Sequence, residues 1–365
     1  MRRWGAASVR AAVPVVALAA MLVACTGTRG SFASTVPGAT VAGSTVPATV
    51  GTQPSQRPTL EGLAEQCRSA AGAAVKVGGV LATGVDHSGL VDAFQASYPG
   101  ITVSTDGSGD VGADVVEADP STAQLLGRSG EVEAFVPSLA GEVLGLVAGS
   151  PVWAWSSMVV FAVDRSRVAI VPSSVRELSN PAYAGDAHLV GDPRTDVMAR
   201  AVVMAASLAA GGSPDDTARG AKYVFSATRA GVFTADSDAP IALGTTASVA
   251  ATVQQWQEAG REVKLVFPSD GLLGVPFSPL QVRGSSHVAC AQSWIEHLLS
   301  DDGALSVLLG HGVPARLAQL QQRSLLTSDM VAMVPSAEQW ARTVQVTDAQ
   351  LKTALQPILA SPLWK

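Results

Sequence analysis

Three short stretches of this chain bring together residue types able to grip a charged or polar molecule. Gly107-Ser108-Gly109-Asp110-Val111-Gly112 spells G-x-G-x-x-G after a strand-like run, with Glu131 about twenty residues further on. Where such a loop feeds a helix, its free amides cradle a pyrophosphate. Here residues 113–117 read as a strand, and Asp110 would repel a phosphate, so a dinucleotide site is a poor match. A loop of exposed amides with the Ser108 hydroxyl at the edge of a lobe fits better. Gly191-Asp192-Pro193-Arg194-Thr195-Asp196 precedes a long helix of small residues. Free amides, the helix dipole and the Arg194 charge favour a negative group there. The plain alternative is an N-cap, with Thr195 or Asp196 satisfying the helix donors. Gly244-Thr245-Thr246 opens a further helix and could offer hydroxyls and amides in the same way.

Other chemistry finds no footing. There is no G-x-S-x-G elbow around a nucleophile and no H-E-x-x-H pair. Asp236 and Asp238 sit in a polar Thr-Ala-Asp-Ser-Asp loop, where carboxylates are ordinarily solvated. His87 has no second ligand at metal spacing beside it and reads as a helix-start or surface histidine. No catalytic residue, cofactor or metal is expected.

The elements that must position these groups follow an export signal. Arg2, Arg3 and Arg10 form a positive start, and residues 11–24 are uncharged and mostly aliphatic, too short for a permanent membrane span. The run ends in Leu22-Val23-Ala24-Cys25, which resembles the lipobox of bacterial lipoproteins. That resemblance implies diacylglycerol on Cys25 and attachment to the outer face of the cytoplasmic membrane. The alternative is an ordinary secretory signal with an incidental cysteine. Residues 26–58 are almost wholly Ser, Thr, Pro, Gly, Ala and Val, a composition that buries no core and reads as a tether. The formal charge is −6, and removing three arginines with the signal makes it −9 (−6 minus 3), which argues against nucleic acid. Cys67 and Cys290 are the remaining cysteines. Outside the cell two such thiols most often pair, and two separate buried thiols are the alternative.

About 300 residues remain beyond the tether, enough for two lobes. Residues 74–81 read as a strand and 87–98 as a helix, with Leu90, Val91, Phe94 and Tyr98 at helical spacing. Strands follow at 101–105 and 113–117, an order that implies a parallel sheet. Further strands are expected at 158–163 and 263–267, and helices at 195–210, 289–299 and 303–309.

On these elements the sequence resembles the type II periplasmic-binding-protein fold, in the solute-binding branch that serves ABC importers. Phe94…Tyr98-Pro99-Gly100-Ile101-Thr102-Val103 and Ala113-Asp114-Val115-Val116 are similar to its opening segments. Val171-Pro172-Ser173-Ser174, Leu178, Asn180-Pro181 and Gly191-Asp192-Pro193 look like its passage into the second lobe. Phe267-Pro268-Ser269-Asp270-Gly271, Ser286-His287-Val288-Ala289 and Gly312-Val313-Pro314-Ala315-Arg316 are similar to later segments. Between Gly109 and Ala113 the family carries a helix where only Asp110, Val111 and Gly112 intervene, so one wall is trimmed. Ferric-binding relatives use a tyrosine pair near the helix through Gln255, and this chain has none there.

The resemblance implies an α/β, two-lobed type II periplasmic-binding-protein-like fold with discontinuous lobes and a hinge. Signal 1–25 and linker 26–58 would precede lobe 1 at 59–157, lobe 2 at 158–271, a lobe 1 return at 272–320 and a helical tail at 321–365. It implies a monomeric, non-enzymatic lipoprotein that captures a small polar solute, anionic in one reading, and delivers it to ABC permease subunits. Expected ligand contacts are Thr83, Asp86 and Ser108 from lobe 1, Ser156 at the hinge, and Arg194, Thr195, Thr245 and Thr246 from lobe 2. Trp153 and Trp155 precede the crossing strand and could either face the ligand or pack the hinge. The rival expectation is a binding fold that has lost transport and acts as an envelope interaction module.

Overall fold

The computed structural model describes residues 58–105, 112–146 and 149–364. Cys25, nearly all of the tether and the loop carrying Ser108 lie outside the described residues. Helix α1 (Leu60–Ser69) is capped by Thr59 and turns Leu63, Ala64 and Cys67 inward. It leads to β1 (Ala74–Gly78), α2 (Val80–Thr83), α3 (Ser88–Ser97), β2 (Thr102–Ser104), β3 (Val115–Ala118), α4 (Pro120–Ser129) and β4 (Val132–Glu133). Strand β1 runs parallel to β2 on one side, Ala74 opposite Thr102, and to β3 on the other, Val77 opposite Val115. The expected β-α-β order therefore holds. The strand foreseen over 74–81 ends sooner, at Gly78, and its last residues form α2.

Strand β5 (Trp155–Asp164) is buried along its whole length. Its apolar run needs cover on both faces, which a strand at the middle of a helix-flanked sheet receives. Next come β6 (Ala187–Leu189), α5 (Val197–Ala209), α6 (Ala218–Arg229), β7 (Ile241–Thr245), α7 (Ala250–Glu258), β8 (Val263–Val266) and β9 (Leu273–Val282). The chain closes with α8 (Val288–Leu299), α9 (Asp301–Leu309), β10 (Val313–Pro314), α10 (Leu317–Gln322), α11 (Ser328–Val331), α12 (Ala337–Ala341), β11 (Val344–Gln345) and α13 (Asp348–Ala360).

The strand order β2-β1-β3-β9-β5-β7-β6 divides in the middle. Residues 155–158 of β5 pair antiparallel with β9, whereas its later residues pair with β7 and β8. Strand β9 does the converse, pairing with β5 through its first half and with β3 through its second. These two strands thus link two lobes, each a sheet with helices against it.

Three features hold the lobes. Cys67 of α1 and Cys290 of α8 form a disulfide with Cα atoms 4.7 Å apart, as the cysteine count suggested. Helix α5 buries ten residues, and α6 lies so close that a Cβ on Gly220 would stand 1.9 Å from the Val203 carbonyl oxygen. The chain beyond Arg316 turns back over the hinge. Gln339 Nε2 donates to the Phe267 carbonyl at 3.0 Å, β11 pairs parallel with Leu273 and Gly274 of β9, and the Ser156 hydroxyl donates to Gln345 Oε1 at 2.7 Å. Helix α13 then packs against α4 in one lobe and against α5 and α6 in the other.

Candidate functional site

A cleft of about 530 Å³ opens between the lobes, lined by Ala82, Thr83, Gly84 and Asp119 on one side and by residues 195–198, Ala247 and Ser248 on the other. Its parts sit at element ends, where backbone groups are free and side chains can point outward. The first wall is the end of α2 and the start of α4, and the second is the start of α5 and the turn after β7. The walls come close at Gly84: a Cβ there would lie 3.1 Å from the Ala247 Cβ, and Gly84 has φ +66°, so a side chain there would be strained as well as crowded.

The charge in the cleft is carried by two aspartates facing from different lobes. Asp119 caps α4, accepting from the Ser121 amide at 2.8 Å and the Thr122 hydroxyl at 2.6 Å. Asp196 caps α5, accepting from the Met198 amide at 2.8 Å. The N-cap reading of this segment therefore holds. Half-buried Arg200 donates to the carbonyls of Pro193 and Arg194, both at 3.2 Å. Burial pulls its pKa down from the usual arginine value, and the charges of Asp196 and Asp119 oppose that pull. Two carboxylates and one guanidinium leave this part of the cleft acidic.

The residues singled out in the sequence are spread more widely. Thr83 and Thr195 line the cleft. The Thr83 hydroxyl is engaged locally, donating to the Val80 carbonyl at 2.8 Å and accepting from the Val85 amide at 3.1 Å. Thr245 and Thr246 are buried directly behind the Ala247–Ser248 wall, where the Thr246 oxygen accepts from the Met158 amide at 3.3 Å. Ser156 is fully buried in the hinge and bonded to Gln345. Asp86 borders a separate hollow of about 230 Å³ with Ser88, Gly89, Ser306, Leu309 and Gly310. Arg194 is exposed and folds onto Asp192, with Nη2 2.6 Å from the carboxylate, which holds Asp192 below the usual carboxylate range. Ser108 lies outside the described residues. Trp153 and Trp155 pack the hinge: Trp155 stacks on Phe277 at 5.9 Å and Trp153 meets Trp340 edge-on at 6.2 Å.

Asp119, Arg200 and Ser248 were not foreseen. Asp119-Pro120 before a polar turn is a helix-start signal, and nothing local reveals that the cap also borders a cleft. His87 corrects the surface reading. It is buried, and its Nε2 lies 2.5 Å from Glu117.

A family model for bacterial extracellular solute-binding proteins matches residues 151–338, just over half of the chain. The chain belongs to this family. Among solved structures, the solute-binding protein is similar to iron-bound HitA from Pseudomonas aeruginosa, with 19% identity, a TM-score of 0.56, and coverage of 79% of this chain and 99% of that one. An ABC transporter substrate-binding protein from Bradyrhizobium japonicum gives 16% identity, a TM-score of 0.58 and coverage of 80% and 98%. The Tp0655 (TpPotD) lipoprotein of Treponema pallidum gives 16% identity, a TM-score of 0.54 and coverage of 80% and 99%. At such identities the likeness is one of fold, and that fold is the two-lobed α/β arrangement expected above. No curated protein matches the chain in sequence. The family to which the chain belongs is thus one of bacterial extracellular proteins that bind solutes. Among the described residues no helix is long and apolar enough to cross a membrane.

Proposed function

We propose that this solute-binding protein captures a small polar solute carrying a cationic group and hands it to the permease of an ABC importer. The observation that carries the reading is the acidic cleft, with Asp119 and Asp196 offered from different lobes. A cavity of about 530 Å³ suits a metabolite-sized molecule. A solute touching both walls has higher affinity for the closed form, and only such differential affinity can shift the closing equilibrium. The sequence suggested an anionic solute through Arg194. Pairing of Arg194 with Asp192, outside the cleft lining, favours the opposite charge. Lobe 1 would comprise residues 59–157 and 272–320, lobe 2 residues 158–271, and the tail 321–365, acting as a monomer.

A thermal-shift screen tests the charge. Structures with this fold include a GABA receptor, a putative spermidine/putrescine transporter component and a fructose-6-phosphate-bound protein. Putrescine, spermidine and GABA should stabilise the protein, by about 2.7 kcal/mol at a concentration one hundred times Kd. Fructose 6-phosphate should not. Asp119→Asn keeps a good cap while removing the charge. It should weaken amine binding by about 1.5–3 kcal/mol, read by calorimetric titration, with little change in Tm. Stabilisation by the phosphate sugar alone would overturn the amine reading.

The same proposal includes a lipid anchor at Cys25. Leu22-Val23-Ala24-Cys25 after its apolar run supports it. Mass spectrometry of membrane-extracted protein should find diacylglycerol on an N-terminal Cys25, and Cys25→Ala should give no lipidated form. An N-terminus at another residue would contradict the anchor.

A further inference from the structure

Behind the first wall of the cleft stands a buried histidine–glutamate pair that sequence spacing hides. His87 and Glu117 are 4% and 1% exposed. Imidazole Nδ1 lies 2.8 Å from the Val85 carbonyl oxygen, and Nε2 lies 2.5 Å from Glu117 Oε2. The other oxygen, Glu117 Oε1, accepts from the Trp294 indole N–H at 3.4 Å. A backbone carbonyl only accepts, and an indole only donates. With Nδ1–H donating to the Val85 carbonyl, one further proton is held between Nε2 and Glu117 Oε2, and every partner is satisfied.

This pair joins the two lobe-1 segments that border the cleft. On the histidine side, residues 82–84 form the wall. The Val85 carbonyl that receives the His87 proton is one residue beyond Gly84, and the Asp86 amide is tied to the Gly310 carbonyl at 3.0 Å. On the glutamate side, Glu117 stands in strand β3, two residues before Asp119, the cap of α4. The ring also meets Trp155 of the hinge strand at 6.0 Å, edge-on.

We propose that His87 and Glu117 are a buried positioning pair that fixes the lobe-1 wall of the cleft, and that this wall loosens when His87 loses its second proton. Neither residue lines the cleft, so neither is a ligand contact. The groups facing the ring are Glu117 from β3 and Asp86 from its own loop, both acidic, with Trp155 from β5 and Trp294 from α8, which do not titrate. Burial works against the imidazolium, but the charge and hydrogen bond of Glu117, the Val85 carbonyl and Asp86 outweigh it and raise the His87 pKa above its ordinary value. The pair's contribution is therefore complete below the unfolded histidine value, about 6.5, and is lost as pH rises through the higher folded value.

The test needs no solute, so it can fail or succeed whatever binds in the cleft. In the purified full chain, ring nitrogen chemical shifts followed against pH should show His87 losing its second proton at a higher pH than an ordinary histidine. Hydrogen exchange in peptides covering residues 83–89, corrected for the intrinsic pH dependence, should accelerate along the same titration. His87→Gln and Glu117→Gln should each exchange there at least about tenfold faster at pH 6 and lose the pH step. Peptides of β7 and α7 in the other lobe should be unchanged. If either variant fails to fold, the ring protonation and the exchange profile of the wild type decide alone. A ring that gives up its second proton at or below the ordinary histidine value, or an exchange profile of 83–89 that ignores His87 titration, would overturn the proposal.

Discussion

Replacing Cys67 and Cys290 together by alanine is expected to remove about 3–5 kcal/mol of stability and to lower Tm by roughly 10 °C. The bond closes a loop of 223 residues. In the chain-entropy account, so long a loop carries nearly the largest restriction a single crosslink imposes on the unfolded chain. Both cysteines are buried, so the loss also opens a gap between α1 and α8. Urea unfolding of the double variant against wild type measures it. A difference under about 1 kcal/mol would mean that the unfolded chain is already compact and that α1 is held by Leu63 and Ala64 without the crosslink.

The second large effect concerns Gly220. At an exposed helix interior, glycine to alanine stabilises by about 1 kcal/mol through helix propensity. At Gly220 the sign should reverse. The added Cβ would meet the Val203 carbonyl oxygen at 1.9 Å and the Ser207 amide nitrogen at 2.8 Å, both backbone atoms that cannot rotate away. Gly220→Ala should therefore push α6 off α5 and destabilise by about 2–3 kcal/mol, the scale of overpacking. Gly127 is the control: it is exposed in α4, an added Cβ there meets nothing within 4 Å, and it should gain stability as alanine. Chemical denaturation of the two variants side by side gives the comparison. Equal signs would show that the α5–α6 contact yields easily.

The alternation of apolar runs with helical patterns was legible because β1 and β3 are short, largely buried and bounded by turn residues. Residues 158–163 of β5 were legible through their unbroken apolar run, and the cysteine pair through the tendency of two thiols to join outside the cell. Side-chain roles in the cleft were less so, for a physical reason. Spacing reveals partners three or four residues apart, but Glu117 meets His87 across thirty residues, and Asp119 and Asp196 converge only through the fold. Arg194 illustrates the converse. Asp192 stands two residues before it, and a close carboxylate takes up a charge that the helix N-terminus alone would have offered to a ligand. Hydroxyls at Thr245 and Thr246 suggested ligand contacts by type, yet buried hydroxyls seek backbone partners first, and both lie behind the wall.

The returning tail bears on how the protein could be engineered as an optical sensor. Here β11 is laid along hinge strand β9, Gln345 holds Ser156 of the other hinge strand, and α13 leans on helices of both lobes. A bulky fusion beyond Ala360 would load the joint itself, adding drag to the swing and shifting its resting angle. Insertion into an exposed loop within one lobe, such as the polar turn around Asp236, would report the same motion while leaving the joint unburdened.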